Sequence, residues 1–334
     1  MKAKHIILWA TCIWLATGCQ KNIDQFEPTD EVTLPDNNWT AVADDNSDAM
    51  TMYNQAAPEV IESNITYEAN TPTTANISDD LIIEIPAAAF EANGNLVSRG
   101  PIKIQVIILL KKGEWVRANR FTIGVNGRWL ASHGIMLVRA FRENTELIIR
   151  PQAPIVFRYK FGNPETAMTF HTPVGPFTNN FFHAPWAPAT TGKVSVVEIR
   201  NSATGLSEKV GYLVETKQMG WMSVARPATV PDQTAIVTVS LPHGFQNRNT
   251  NVYITPAKMP TLCYLTPDNN NKLWFNRSVP VRTPFMIFTI TRHNNKYFLG
   301  QARSTEAGIS AATHFAIRPQ PVSFEELLKF LKNL

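Results

Sequence analysis

Beyond Ser78 the apolar residues of this chain fall into short segments separated by Gly, Asn and Pro. In one segment Ile102, Ile104 and Val106 alternate with polar residues before an apolar run, a pattern typical of a strand that is half exposed at first and covered later. Several short strands with turns between them predict a β-sandwich over residues 77–160. The other candidate strands in this region are residues 81–86, 135–141, 146–150 and 155–161.

A second series of strand-like segments runs from residue 193 to residue 320. At residues 237–241 apolar and polar positions alternate strictly, which predicts one face on a core and the other in water. The fold class that we predict is therefore all-β, with two β-sandwich-like domains.

Residues 161–192 lie between the two series and carry four prolines among aromatic residues between positions 170 and 188. Proline cannot donate to a sheet ladder and is excluded from central strands. We therefore expect a connection between the domains that packs its aromatic side chains on a neighbour.

The chain ends with a predicted amphipathic helix at residues 321–334. Ser323 and Glu326 have the spacing of a capping box, in which each side chain satisfies a backbone amide of the other residue. An apolar stripe follows at helical spacing, formed by Phe324, Leu327, Leu328 and Leu331. We expect this stripe to dock on the second domain, and a partner-binding helix is the alternative.

The first residues have the features of a bacterial lipoprotein signal peptide. A basic start and an apolar run from Ile6 to Ala16 precede small residues and then Cys19. This run is too short for a permanent bilayer-spanning helix. Residues 1–18 are predicted to be removed, leaving lipid on Cys19 as the attachment to the outer membrane. The alternative is an ordinary signal peptide in which a cysteine falls by chance.

Charge is strongly segregated along the chain. Residues 20–80 hold thirteen acidic residues and one Lys, whereas residues 81–334 hold 28 basic and 14 acidic residues. Apolar residues are too scattered in the acidic part for periodic structure, so residues 19–76 are predicted to be an acidic, largely disordered tether. The tether either extends into solvent or covers a basic surface that would otherwise meet anionic polymers.

Sequence signatures of catalysis are missing: there is no glycine-rich phosphate loop, no G-x-S-x-G elbow and no histidine pair at helical spacing. Cys263 is the one cysteine beyond Cys19 and is predicted to be a buried, inert thiol. We accordingly predict no catalytic residue, no metal site and no cofactor, and leave the ligand-binding residues unassigned.

Tryptophan offers one candidate binding surface, because a flat ring with an N–H edge suits a sugar ring. A stacking platform and ordinary core packing are the two alternatives for these residues, which are Trp115, Trp129, Trp186, Trp221 and Trp274. Nothing in the sequence indicates specific recognition of nucleic acid.

Residues 77–150 resemble the ZU5-like β-sandwich module of Bacteroidetes-type surface lipoproteins. The residues that carry the resemblance are Ile85-Pro86-Ala87, Asn93-Gly94-Asn95, Gly100-Pro101-Ile102 and Leu130 to Met136, with His133 where such modules usually carry a glycine. The C-terminal part is similar to the companion region of those lipoproteins, in which a Gly-Trp pair, here Gly220-Trp221, precedes a polar motif that ends in Arg, here Arg226. Gln20-Lys21 and the acidic residues after them partly resemble the surface-export signal of such proteins. The resemblance implies a fold and a cell-surface location, with no established activity.

The sequence thus predicts a lipid-anchored outer-membrane or cell-surface protein with a non-catalytic binding or assembly role. Its partners would be the outer membrane, through Cys19, and a glycan, a polyanion or an envelope protein. Two alternatives stay open: a dedicated glycan or anionic-polymer binder, and an envelope hydrolase whose site is assembled from distant residues.

Overall fold

The structure, a computed structural model, describes residues 39, 47–174, 184–200 and 207–334. Cys19 and the predicted signal peptide lie outside these residues. Residues 36–334 form one compact unit. Its described residues are predominantly β, as predicted, and its neighbouring strands pair antiparallel except for one parallel pair of strands described below. No helix in this part of the chain has the length and apolar character needed to cross a bilayer.

The first sandwich has two main sheets. Across one sheet the strands follow the order β1 (Ile61–Glu68), β6 (Arg99–Leu109), β7 (Leu130–Arg142), β15 (Gly220–Pro227), β11 (Thr169–Pro173) and β12 (Trp186–Pro188), and β8 (Thr145–Glu146) also pairs with β7. Across the other sheet the order is β13 (Gly192–Arg200), β14 (Ser207–Thr216), β10 (Ile155–Lys160), β3 (Leu81–Ile85) and β2 (Thr73–Ser78). A small sheet of β5 (Asn95–Leu96), β4 (Phe90–Ala92) and β9 (Ile148–Ile149) lies beside them.

The second sandwich is built in the same way from two sheets. One contains β19 (Thr266–Asp268), β20 (Leu273–Pro280), β16 (Thr234–Ser240) and β23 (Thr313–Ala316), of which β16 and β23 are parallel. The other contains β18 (Cys263–Tyr264), β17 (Thr250–Pro256), β21 (Phe285–His293), β22 (Lys296–Arg303) and β24 (Gln320–Val322).

Each sandwich encloses its own apolar core because alternate residues of its strands point inward. In β3 the inward residues are Leu81, Ile83 and Ile85, each at most 2 % exposed. In the second sandwich Val237 and Val239 of β16 are buried, as their alternation predicts. Cys263 lies in the second core and is also fully buried, as predicted. Burial raises the pKa of its thiol well above the ordinary value, so the thiol is neutral.

A third apolar cluster joins the two sandwiches, and we refer to it as the shared core. It combines Leu109, Ile135 and Ala225 of the first sandwich with Tyr253, Phe288 and Ile290 of the second. Three helices complete it with the buried side chains of Met52, Tyr53, Trp115, Val116, Leu327 and Leu331. These helices are α1 (Asp48–Ala56), α2 (Lys112–Arg117) and α3 (Phe324–Lys332).

Backbone hydrogen bonds reinforce the shared core. The amide of Thr122 donates to the carbonyl of Leu262 at 2.8 Å, and the amide of Ser132 donates to the carbonyl of Pro260 at 2.9 Å. The Thr261 hydroxyl donates to the carbonyl of Leu130 at 2.9 Å. The two sandwiches are therefore joined by both apolar burial and directional bonds rather than by a flexible linker.

The prediction of a largely disordered tether over residues 19–76 is wrong for its second half. There α1, β1 and β2 begin at residues 48, 61 and 73. β1 pairs with β6 along its whole length, and its Tyr67 is fully buried. The sequence signal was weak because β1 is an edge strand, whose exposed face is entirely polar and whose other face mixes Ser63 with apolar residues. Residues 20–38 and 40–46 of the predicted tether lie outside the described residues.

The predicted domain boundaries are also corrected. β13, β14 and β15 lie in the range assigned to the second domain, but they pair with strands of the first sandwich. The predicted connection at residues 161–192 contributes β11 and β12 to a sheet, with the proline-containing β12 at the sheet edge, where proline is tolerated. Its Phe170 and Trp186 are buried, in agreement with the expected packing of aromatics, and residues 175–183 lie outside the described part.

The C-terminal helix is confirmed as α3. Ser323 Oγ accepts from the Glu326 amide at 3.1 Å, and the Glu326 carboxylate accepts from the Ser323 amide at 2.7 Å, which is the predicted capping box. Phe330 contacts Phe288 of the second sandwich, with ring centres 5.4 Å apart. The helix also packs on α2 of the first sandwich, so it docks on both and not on the second alone.

Candidate functional site

Four of the five tryptophans considered for a sugar-stacking platform are core residues. Trp115, Trp129, Trp186 and Trp274 are each at most 4 % exposed. Trp221 is partly exposed and lies at the margin of the shared core. Several coplanar exposed rings are therefore absent among these five residues, of which Trp221 is the one with an accessible ring.

The described histidines do not converge on one point. The described residues contain no group of three His, Cys, Asp or Glu side chains placed to hold a metal ion. His314 lies at the surface between the hydroxyls of Thr238 and Ser240, whereas His133 and His171 are buried in the first sandwich. His183 lies outside the described residues.

The structure brings together His133 and Arg226, the two polar residues singled out by the resemblance. Both contact Glu165: Arg226 Nε donates to Glu165 Oε2 at 2.6 Å, and His133 Nε2 lies 3.5 Å from Glu165 Oε1. His133 Nδ1 lies 2.7 Å from the Tyr212 hydroxyl, which also accepts from the Glu165 amide at 2.6 Å. We refer to His133, Glu165, Tyr212 and Arg226 as the His133 cluster.

Local packing fixes the orientation of the His133 ring. The ring stacks on Phe161 with centres 4.5 Å apart, and only 5 % of His133 is exposed. A neutral tautomer in which Tyr212 donates to Nδ1 and Nε2–H points to Glu165 is compatible with both contacts. Burial lowers the pKa of His133, and the attraction of Glu165 does not fully offset it.

The other members of the cluster also have shifted pKa values. The hydrogen bond from Arg226 holds the pKa of Glu165 below its ordinary value, so the carboxylate is charged at neutral pH. Burial raises the pKa of Tyr212 to about 12. Because Tyr212 is fully buried and the polar atoms pair with one another, the cluster fastens residues 161–168 to the sheets. Within the cluster, His133 is buried, whereas the Glu165 side chain is partly exposed.

A surface groove lies where β7 changes its neighbour. β15 pairs with β7 up to Val138, and β8 begins to pair with β7 at Phe141. The gap between these two pairings opens a cavity of about 460 Å³, within the range of about 300–1,000 Å³ usual for small-ligand sites. We refer to it as the Trp221 groove. Its principal lining residues are Leu137, Arg139, Glu146, Ile148, Lys217 and Trp221.

The Trp221 groove has an apolar centre and a charged rim. Trp221 and Leu137 are register partners on neighbouring strands and therefore share a sheet face, and Ile148 is 59 % exposed. Arg139 and Glu146 form a bidentate ion pair on the rim, with N–O distances of 2.8 and 2.7 Å. The Arg139 guanidinium also lies 4.7 Å from the centre of the Phe141 ring, which holds the ion pair against the sheet.

One cation that lines the Trp221 groove, Lys217, and one that lies beside its aromatic ring, Arg120, are not neutralised by the described residues. Lys217 is exposed and makes no ion pair with a described carboxylate. Arg120 lies 4.2 Å from the centre of the Trp221 ring, donates to the carbonyl of Asn119 at 3.0 Å and has no described carboxylate partner. Burial lowers the pKa of Arg120 to about 10, so it stays charged at neutral pH. The groove can therefore attract an anionic group.

Sequence patterns indicated Trp221 without its surroundings and did not indicate Glu165, Tyr212 or Lys217. No local signal could have found them, because Glu165 and Arg226 are 61 residues apart and meet only through the sheet. The resemblance did mark His133 and Arg226, which is the one sequence feature that indicated the cluster.

Neither the family models nor the curated proteins with which the chain was compared match it. The resemblance to the ZU5-like module stays a prediction that rests on the residues quoted above.

Proposed function

We propose that this chain is a lipid-anchored outer-membrane protein that faces the cell surface and has a non-catalytic binding role. The anchoring part of the proposal rests on the sequence up to Cys19, in which a short apolar run and small residues precede the cysteine. Diacyl and N-acyl chains on one residue exceed the two-chain requirement for stable membrane attachment.

The binding part of the proposal rests on one structural observation, the Trp221 groove. This groove combines a partly exposed aromatic ring, an exposed Ile148 and an exposed Lys217 that lacks a carboxylate partner among the described residues. An apolar centre with a few polar groups around it is the usual composition of a ligand site. The joined sandwiches support the proposal, since they give the groove a rigid frame.

The His133 cluster supports a structural role over a catalytic one. A general acid or base must lie within reach of a substrate proton, whereas His133 is buried and its ring nitrogens face Tyr212 and Glu165. The proposal accordingly assigns no chemical step to this cluster.

The anchoring proposal is tested by replacing Cys19 with Ala and following the protein in membrane fractions and by incorporation of labelled palmitate. Loss of the label and release from the membrane are the expected results, because no acyl chain can then be attached. Cys12→Ala is the matched control, since this cysteine lies within the predicted signal peptide and its loss should leave both readouts unchanged. Full retention of Cys19→Ala in the outer membrane would contradict the proposal.

A further inference from the structure

We infer that the Trp221 groove binds an acidic saccharide, a chain of pyranose units that carries carboxylate groups. This inference rests on the proposed binding role and names the ligand class of the same site. The evidence comes from three features of the groove: its aromatic wall, its rim and its charge.

The aromatic wall suits a pyranose ring. Trp221 is partly exposed, and Arg120 lies over one face of its ring at 4.2 Å from the centre, which holds the indole in place, so a sugar would pack against the opposite face or the ring edge. The C–H face of a pyranose is apolar and flat enough to pack against such a ring, as an aromatic side chain packs against other apolar surfaces. Ile148 and Leu137 extend this apolar contact area across the groove.

The rim suits hydroxyl groups. The paired Arg139 and Glu146 present N–H donors and carboxylate oxygens side by side, and Gln218 adds an amide with both functions. Adjacent hydroxyls of a sugar both donate and accept, so they can bond to such a mixed set. A purely apolar ligand would make no hydrogen bond to these rim groups, whereas a sugar can.

The charge selects an acidic ligand over a neutral one. Arg139 is neutralised by Glu146, whereas Lys217 and Arg120 have no carboxylate partner among the described residues. A ligand carboxylate would accept a charge-assisted hydrogen bond from Lys217 on the groove wall, and Arg120 beside the Trp221 ring would add to the positive charge nearby. The predicted cell-surface location would bring the groove into contact with such polymers.

The experiment is isothermal titration of the mature lipidated protein in detergent with trigalacturonate. Two probes separate the contributions: galactotriose has the sugar rings without the acid, and triglutamate has the acid without the rings. We expect trigalacturonate to bind at least about tenfold more tightly than either probe, since it alone matches both features. The affinity should fall as salt rises, because exposed charges are screened over about 10 Å at 0.1 M.

Variants locate the site. Lys217→Gln should weaken binding about tenfold or more, because one charge-assisted hydrogen bond to the ligand carboxylate is lost. Lys296→Gln is the matched control, because Lys296 is equally exposed but lies at the turn between β21 and β22 of the second sandwich. Trp221→Leu should weaken binding further because it removes the flat ring while keeping an apolar side chain, and a thermal melt checks that it folds.

Four outcomes would overturn the inference: no binding of trigalacturonate, equal binding of galactotriose, equal binding of triglutamate, or an unchanged affinity in Lys217→Gln. The last outcome stays decisive even if Trp221→Leu fails to fold, since Lys217 is a surface residue. Failure of this inference is distinguishable from failure of the proposed anchoring, because membrane retention through Cys19 is measured without any saccharide.

Discussion

The shared core and the His133 cluster both fasten distant parts of the chain, one with apolar side chains and the other with polar side chains. In the shared core, Phe288 and Tyr253 stack at 4.8 Å between ring centres and no charge is involved. In the His133 cluster, an imidazole, a carboxylate and a guanidinium fasten residues 161–168. The stabilisation from apolar burial is large and independent of pH. The stabilisation from the polar contacts is smaller and depends on the protonation of their groups.

The difference teaches which contacts set the architecture. Burying one large apolar side chain contributes about 1.5–3 kcal/mol, and the shared core contains many of them. A hydrogen-bonded pair contributes only about 0.5–1.5 kcal/mol net, or somewhat more with a charged partner. We infer that the shared core holds the two sandwiches together and that the His133 cluster orders one local segment.

The largest expected effect is that of removing residues 20–76. This truncation deletes α1 and β1 and most of β2, and with them the buried side chains of Met52, Tyr53 and Tyr67. Losses of about 3–5 kcal/mol for each large side chain together approach or exceed the whole stability of about 5–15 kcal/mol, so we expect no cooperative folding. The measurement is thermal unfolding followed by circular dichroism. A truncated chain with the melting curve of the full mature protein would show that the N-terminal elements contribute little.

The next effect concerns the contact between α2 and α3 at the edge of the shared core. A Cβ at Gly113 would lie 1.7 Å from the Leu331 carbonyl oxygen, so Gly113→Ala requires α3 to move. We expect a loss of about 1–3 kcal/mol in the free energy of urea unfolding. The direction of the change in the free energy of unfolding is informative, because a Gly→Ala substitution inside a helix otherwise stabilises the folded protein by about 0.5–1 kcal/mol.

Gly162→Ala is the matched control for Gly113→Ala. A Cβ at Gly162 meets no atom within 4 Å, so its free energy of unfolding should change by no more than about 0.5 kcal/mol. Equal stabilities of the two variants would mean that α3 does not pack closely on α2. In that case α3 would not be part of the shared core.

The smallest effect is the pH dependence of the His133 cluster. The pKa values of His133 and Glu165 are both lowered in the folded protein, so the unfolded chain binds more protons as the pH falls. Stability is therefore complete above the ordinary histidine pKa of about 6.5 and declines as the pH drops below it. His133→Gln removes one of these groups and should make the decline between pH 7 and pH 5 shallower, as measured by urea unfolding at each pH.

His314→Gln is the control for the pH experiment, because this imidazole lies at the surface of the second sandwich. Its stability should follow the same pH curve as the unmodified protein. A His133→Gln curve that also coincides with that of the unmodified protein would show that the His133 cluster does not carry the acid sensitivity.

Local patterns predicted the parts of the fold that depend on local physics. The strand at residues 81–86 appears as β3, the segment at residues 155–161 as β10, and the capping box begins α3 where Ser323 predicts. These elements are recognisable because strand alternation and helix capping involve residues a few positions apart.

The rest depends on contacts between distant residues. β14 pairs with β10 and β15 pairs with β7 across long stretches of sequence, so no local pattern could assign them to the first sandwich. The Trp221 groove exists because β8 and β15 pair with β7 at different positions along that strand. Its lining residues come from three separate segments, and their convergence was not predictable.

The central claim is that the shared core makes the two sandwiches one folding unit, and native-state hydrogen exchange tests it most directly. Phe157 of β10 is fully buried in the first core, so Phe157→Ala should cost about 3–5 kcal/mol. If the chain unfolds as one unit, this variant lowers the opening free energy of the most protected amides equally in β10 and in β21 of the second sandwich. A decrease confined to β10, with the amides of β21 unchanged, would contradict the claim.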